Sequence, residues 1–114
     1  MFIAMNRFKV IKGEEHAFEQ IWLNRESHLD QMPGFVEFHM LKGPEAETHV
    51  LYSSHTVWSD REAFTAWTRS EQFRTAHGST GAHKPLYLGH PEFEGFDVIQ
   101  TIANRHLAKR QAAE

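Results

Sequence analysis

Phe64-Thr-Ala-Trp-Thr-Arg-Ser-Glu-Gln-Phe-Arg-Thr-Ala-His77 reads as two helical pieces with a break between them. Just upstream, Ser59-Asp60-Arg61-Glu62 has the form of a capping box. The serine oxygen accepts from a first-turn amide, the glutamate reaches back to the serine's own amide, and a helix starts there. Thr68 and Ser70 are poor interior helix residues. Ser70 ahead of Glu71 suits an N-cap followed by a carboxylate in the first turn, where the helix dipole favours negative charge. A second short helix is therefore expected to begin there and to end in His77, directly before Gly78. On one straight helix, Trp67 and His77 would differ by about 280° of rotation and about 15 Å of rise, and would share no face. A break between them can bring the indole and the imidazole to one cavity. Taken alone, Trp67 reads as core, and a histidine before a glycine at a helix end reads as a dipole-compatible cap.

Working outward from this stretch, residues 2–10 alternate, with Phe2, Ala4, Phe8 and Val10 on one face and Ile3, Met5, Arg7 and Lys9 on the other. That is the pattern of a half-buried strand. Asn6 falls on the apolar face. An amide there is either satisfied by neighbouring backbone or turned toward a ligand, because leaving it unmet costs about 1–3 kcal/mol. Lys12-Gly13-Glu14-Glu15 reads as turn, N-cap and acidic first turn of a helix that runs to about Met32. Phe18, Ile21, Trp22, Leu29 and Met32 form its apolar stripe, with Arg25 in the middle. A guanidinium in that position snorkels to the edge, pairs with a carboxylate or meets an anionic ligand.

Pro33-Gly34 closes this helix. Residues 35–41 and 48–58 then read as two strands of a hairpin, joined by the turn-rich Lys42-Gly43-Pro44-Glu45-Ala46-Glu47. His39, His49 and His55 lie in these strands without metal-site spacing and are expected to be exposed cross-strand residues. Residues 78–91 are punctuated by glycine and proline and read as a long loop carrying His83 and His90, both facing solvent. Residues 93–102 form a last strand. The expected organisation is one domain over residues 1–103 and a charged tail over 104–114.

Composition narrows the class. There are 114 residues, a net charge of -3 and no cysteine, so a thiolate nucleophile and a cysteine-held iron–sulfur cluster are excluded. Nothing in the cysteine usage indicates secretion. Interspersed charge leaves no electrostatic footprint for nucleic acid. No apolar run approaches a membrane span and the N-terminal run is too short for a signal peptide, so the expected location is cytoplasmic. Nine histidines, nine phenylalanines and three tryptophans suit a pocket for a flat apolar ligand that carries a metal.

The element order β-α-β-β-α-β predicts an α+β ferredoxin-like fold, an antiparallel sheet with helices on one face. The opposite face, with Ile3 and Met5, is apolar enough to be covered by sheet-to-sheet dimerisation.

Three motifs carry a resemblance: Asn6-Arg7 in the first strand, Pro33-Gly34-Phe35 after the first helix, and the run Trp67-x-x-Ser70-x-x-Phe73-x-x-Ala76-His77. Over about residues 1–102 the chain resembles the dimeric α/β-barrel monooxygenases of the antibiotic biosynthesis monooxygenase superfamily. Within that superfamily it is similar to haem-degrading enzymes of the IsdG type, the rhizobial haem oxygenases among them. The resemblance implies a homodimer that binds haem between helices and sheet. It also implies oxidative opening of the porphyrin to a linear, biliverdin-like tetrapyrrole with release of iron. Asn6, Trp67 and His77 match the family's catalytic set in residue type and order, at near the same spacing.

By that resemblance His77 would ligate iron, Trp67 would press the macrocycle out of plane, and Asn6 would steer oxygen toward a meso carbon. Arg25 would meet a propionate. Trp22 departs from the smaller aromatic expected at its position and would alter how the haem sits. Haem would be substrate and cofactor together. Electrons would come from an external reductase, since no flavin or nicotinamide fingerprint is present. Two other readings stand beside this one: a cofactor-independent monooxygenase of an aromatic substrate, and a haem carrier or sensor without turnover.

Overall fold

Alternation in the first strand sets the layers of the molecule. The computed structural model describes residues 1–25, 27–71, 73 and 86–104. In it, β1 (Phe2–Ile11) buries Phe2, Ala4, Phe8 and Val10, the face its period of two predicts. β3 (His49–Trp58) pairs antiparallel along one side of β1 and β4 (Tyr87–Asp97) along the other. β2 (Phe35–Glu45) joins the outer side of β3, and the sheet order is β2-β3-β1-β4. α1 (Glu15–Leu23) follows β1, and α2 (Arg61–Thr68) follows β3. The α+β ferredoxin-like plan expected from the element order is what forms.

Both helices lie on one face of the sheet, and the core there divides in two. Near one end, Phe2, Ala4 and Trp58 of the sheet pack with Leu29 and with Trp67 of α2. Near the other, Phe8, Val10, Val50 and Tyr52 pack with Phe18 of α1 and with Leu86. Asn6 and its cross-strand partner Ser54 fall between the two clusters. The polar residue that interrupts the apolar face thus marks a seam in the core.

Element boundaries differ from the sequence reading in four places. The first helix ends at Leu23 rather than near Met32. Asn24 stops it: its backbone N–H and its side-chain Nδ2 both donate to the carbonyl of Gln20, at 3.1 and 2.9 Å. Such side-chain-to-backbone bonds compete with helix propagation. Leu29 then returns to the core from a separate 3-10 turn, Leu29–Gln31. Arg25 therefore follows the helix and is not in the middle of its stripe.

The cap of α2 is Asp60 rather than Ser59: Ala63 N–H donates to Asp60 Oδ1 at 2.8 Å. β2 continues past Leu41 to Glu45 because Gly43 and Pro44 sit at a register shift on an edge strand, where a missing N–H costs no ladder bond. β4 begins at Tyr87 and ends at Asp97, so the second half of the expected loop is strand and the expected end at Ile102 is not. Gly89, at φ +66°, with His90 and Pro91, makes the bulge on that other edge. Residues 74–85, with His77 and His83, and residues 105–114 of the tail lie outside the described residues.

The outer face of the sheet carries Ile3 beside Val57 and Phe96, with Met5, Leu41 and Leu88 further along. Phe96 is 47% exposed in the single chain. His39 and His55 stack in parallel on this face, ring centroids 5.6 Å apart. His39 is exposed as expected, whereas His55 is half-buried with no partner for Nδ1 among the described residues.

Candidate active site

The seam in the core opens into a cavity of about 280 Å³ between the sheet and the two helices on its inner face. Its floor is the polar row Asn6, Ser54 and Thr56, with Trp58 at one end. Its walls are aromatic: Trp22, Phe38, Phe64, Trp67, Phe73 and Phe93.

Each wall is placed by an identifiable local cause. Trp67 lies in the last turn of α2, whose start Asp60 fixes. Beyond it, Ser70 Oγ donates to the Trp67 carbonyl at 2.6 Å and accepts from Phe73 N–H at 3.0 Å. Ser70 therefore ends one helical segment and caps the next, as the sequence suggested, and Glu71 and Phe73 are helical. The turn brings the Phe73 ring edge-on against Trp67, centroids 5.5 Å apart. Trp22 of α1 stacks on Phe38 of β2 at 5.8 Å, and Phe64 of α2 stacks on Phe93 of β4 at 5.6 Å. These are apolar surfaces suited to a flat ligand.

Among the described residues, one cation faces this cavity. Arg25 lies with its guanidinium 4.2 Å above the Trp22 ring, and no carboxylate among the described residues is within salt-bridge reach of it. Burial holds its pKa below the ordinary arginine value, with the nearby Tyr87 acting the other way. Arginine stays charged in proteins regardless, so the site presents a half-buried positive charge stacked on an indole at the end of an aromatic trough.

Of the residues singled out from sequence, Asn6, Trp22, Arg25 and Trp67 line this one cavity. His77 lies outside the described residues. Among those residues no group of three or more histidines and carboxylates is placed to hold a metal ion. Sequence reasoning missed Ser54, Thr56, Trp58, Phe38 and Phe93. The signal for the first three was present, since strand alternation puts positions 54, 56 and 58 on the face of Asn6. That face could be known only once β1 and β3 were paired.

The profile of the antibiotic biosynthesis monooxygenase family matches residues 1–79, most of the chain and all of the cavity except Phe93. The chain belongs to this monooxygenase family. A relative in Bacillus thuringiensis, a heme-degrading monooxygenase, is 29% identical over 98 residues, covering 86% of this chain and 90% of that protein. Among solved structures, the heme-degrader MhuD of Mycobacterium tuberculosis with two hemes in its active site has a TM-score of 0.67 at 23% identity. The match covers 90% of this chain and 100% of that one. SnoaB of Streptomyces nogalater, a cofactor-independent oxygenase, has a TM-score of 0.66 at 25% identity, covering 90% of this chain and 97% of that one. The proteins this chain is similar to therefore include haem degraders and a cofactor-independent oxygenase. Among the described residues of this one, no helix is long and apolar enough to cross a membrane.

Proposed function

We propose that this monooxygenase is a haem-degrading oxygenase that opens the porphyrin ring to a linear tetrapyrrole and releases iron. The observation that carries the reading is the convergence of Asn6, Trp22, Arg25 and Trp67 on one aromatic-walled cavity. Its chemistry fits a flat macrocycle with an anionic rim: indole and phenyl faces for the ring body, one half-buried guanidinium for a carboxylate, and an amide on the floor. Bound haem would supply iron for dioxygen activation, with electrons from an external donor.

The chain's own groups then act as follows. His77 is the proposed iron ligand. Trp67, held by the Ser70 turn, presses on the ring body from the helix side. Arg25 takes a propionate and orients the ring. Asn6 donates a hydrogen bond that directs oxygen to one edge of the ring, a preorganised dipole aimed at developing charge. Trp22, stacked on Phe38, sets how deep the ring can slide. The functional unit is a homodimer of the 1–103 domain joined through the outer sheet faces, with residues 104–114 as a tail.

The deciding experiment adds haemin, a reductant and air to purified protein and follows absorbance. A Soret band that forms, saturates at a fixed ratio and decays to a bilin spectrum supports ring opening. A stable Soret band identifies a haem carrier. His77→Ala should lose the imidazole-coordinated spectrum and turnover together; a parent-like spectrum and rate would remove the ligand assignment. Similarity to SnoaB favours one second reading, a cofactor-independent oxygenase of an aromatic substrate. In that case haemin gives no saturable spectrum.

A further inference from the structure

Trp58 is the last residue of β3, fully buried at 0% exposure, and part of the cavity wall. Its ring packs among Phe35, Phe64 and Trp67, at centroid distances of 5.6, 6.1 and 6.3 Å. None of these neighbours carries a side-chain acceptor, and Trp58 Nε1–H has no hydrogen-bond partner among the described residues. Buried indole N–H groups ordinarily find one, and an unmet donor in an apolar interior is a standing cost. The unfilled volume that Trp58 borders is the cavity, whose floor continues along the same face of β3 through Thr56 and Ser54 to Asn6 on β1.

We infer that the Trp58 indole N–H is a positioning donor for an oxygen acceptor held against the cavity floor. The acceptor is either oxygen derived from dioxygen beside a bound haem or a ketone or phenolate oxygen of the substrate itself. The second source belongs to the cofactor-independent reading and the first rests on the haem reading. With Asn6 four residues along the floor, about 13 Å away by strand rise, the cavity offers a bound ligand two separate donors on adjacent strands, which fixes its orientation.

Trp58→Phe removes the N–H with the five-membered half of the indole and keeps one six-membered aromatic ring. In the first arm, haemin-loaded parent and variant are titrated with fluoride, an anionic acceptor that binds ferric iron, and read by absorbance. Saturated with haemin, the variant should bind fluoride about tenfold more weakly than the saturated parent, the size of one hydrogen bond to a charged acceptor, on top of the fall in Tm that the lost ring volume brings. A purely structural role would lower Tm and leave the fluoride affinity of the haemin-saturated variant at the parent's value. In the second arm the haem-free proteins are titrated with anthrone, a tricyclic ketone, by fluorescence quenching, and the variant should bind severalfold more weakly.

Loss in the fluoride arm assigns the acceptor to oxygen from dioxygen, and loss in the anthrone arm assigns it to the substrate. A protein that takes up no haemin yet shows loss with anthrone ends the haem reading and keeps the donor. No loss in either arm, whether from equal binding or from no binding at all, overturns the inference. Where the variant does not fold, the parent serves: its Trp58 indole ¹H–¹⁵N resonance, assigned with Trp22→Phe and Trp67→Phe, should move with anthrone or, in the haemin-loaded protein, with fluoride. A resonance that stays in place with both overturns the inference as well.

Discussion

Asn6 shows how one residue can mark a site. On an alternating strand every second side chain goes to the core, and an amide in that series breaks the apolar layer at a defined point. Here the break falls where the cluster around Trp67 meets the cluster around Phe18, opposite Ser54 and beside Phe93 of β4. Asn6→Ala should leave the haemin spectrum saturable while ring cleavage falls by about 10²-fold or more, the usual effect of deleting one preorganised donor; single-turnover absorbance measures it. Product formation at the parent rate would remove Asn6 from the chemistry.

At the far end of the same sheet face a second polar contact is structural. Tyr52, 1% exposed, donates its phenolic hydrogen to Glu19 on α1, with Lys42 Nζ 3.7 Å from the same carboxylate. Burial first, and then the hydrogen bond to Glu19, push the phenol well above its ordinary value of 10.0. The Tyr52 bond holds Glu19 below its ordinary 4.5, with burial opposing and Lys42 assisting. For the phenol the folded state keeps the proton longer than the unfolded one. Its contribution is complete below about pH 10 and is lost as pH rises toward and through the folded-state value. For Glu19 the contribution is present above 4.5 and lost as pH falls through the lowered value. The alkaline limb is the larger, because Tyr52 is buried and the Glu19 side chain is 40% exposed and screened. Urea midpoints measured against pH should therefore be flatter above pH 10 in Tyr52→Phe than in the parent. Parallel profiles would contradict this account.

At the scale of elements, α2 is positioned by its cap and by a close approach at its start. Asp60 satisfies the Ala63 amide, and Asp60→Ala should lower stability by about 1 kcal/mol. Gly34 at φ +80° lies under the first turn of this helix, where an added Cβ would come within 2.5 Å of Ala63 Cβ and 2.7 Å of Ser59 Oγ. Backbone strain and overlap act together, so Gly34→Ala should cost about 2 kcal/mol or more and should shift α2 with Trp67 on it. Thermal unfolding of the two variants tests the order. A smaller loss for Gly34→Ala than for Asp60→Ala would show that the close approach relaxes freely. The helix–break–helix could be read in advance because Ser70 acts locally, between Trp67 and Phe73. The end of α1 was misread because Leu29 and Met32 keep helical spacing from Trp22 while sitting beyond a separate turn, and periodicity cannot distinguish those cases.

At the scale of the whole molecule, the outer sheet face bears Phe96 beside Ile3, with Met5 and Leu88 along it, and the proposed homodimer would cover it. Phe96→Glu, on a side chain 47% exposed in the single chain, should halve the mass found by sedimentation while leaving the fold's circular dichroism in place. A parent that sediments as a single chain would end the homodimer proposal. What the sequence by itself determined was everything governed by near neighbours along the chain: the buried face of β1, the hairpin of β2 and β3, the Ser70 break and the order of elements. Those features depend on period, caps and turns, which act over a few residues. Only tertiary structure decided that Asn6, Trp22, Arg25 and Trp67 share one cavity, that Ser54, Thr56 and Trp58 floor it, and that β4 starts early around a bulge at Gly89. Those outcomes depend on strand register and on which side chains fill the space between layers, and both are settled by contacts between residues far apart in the chain.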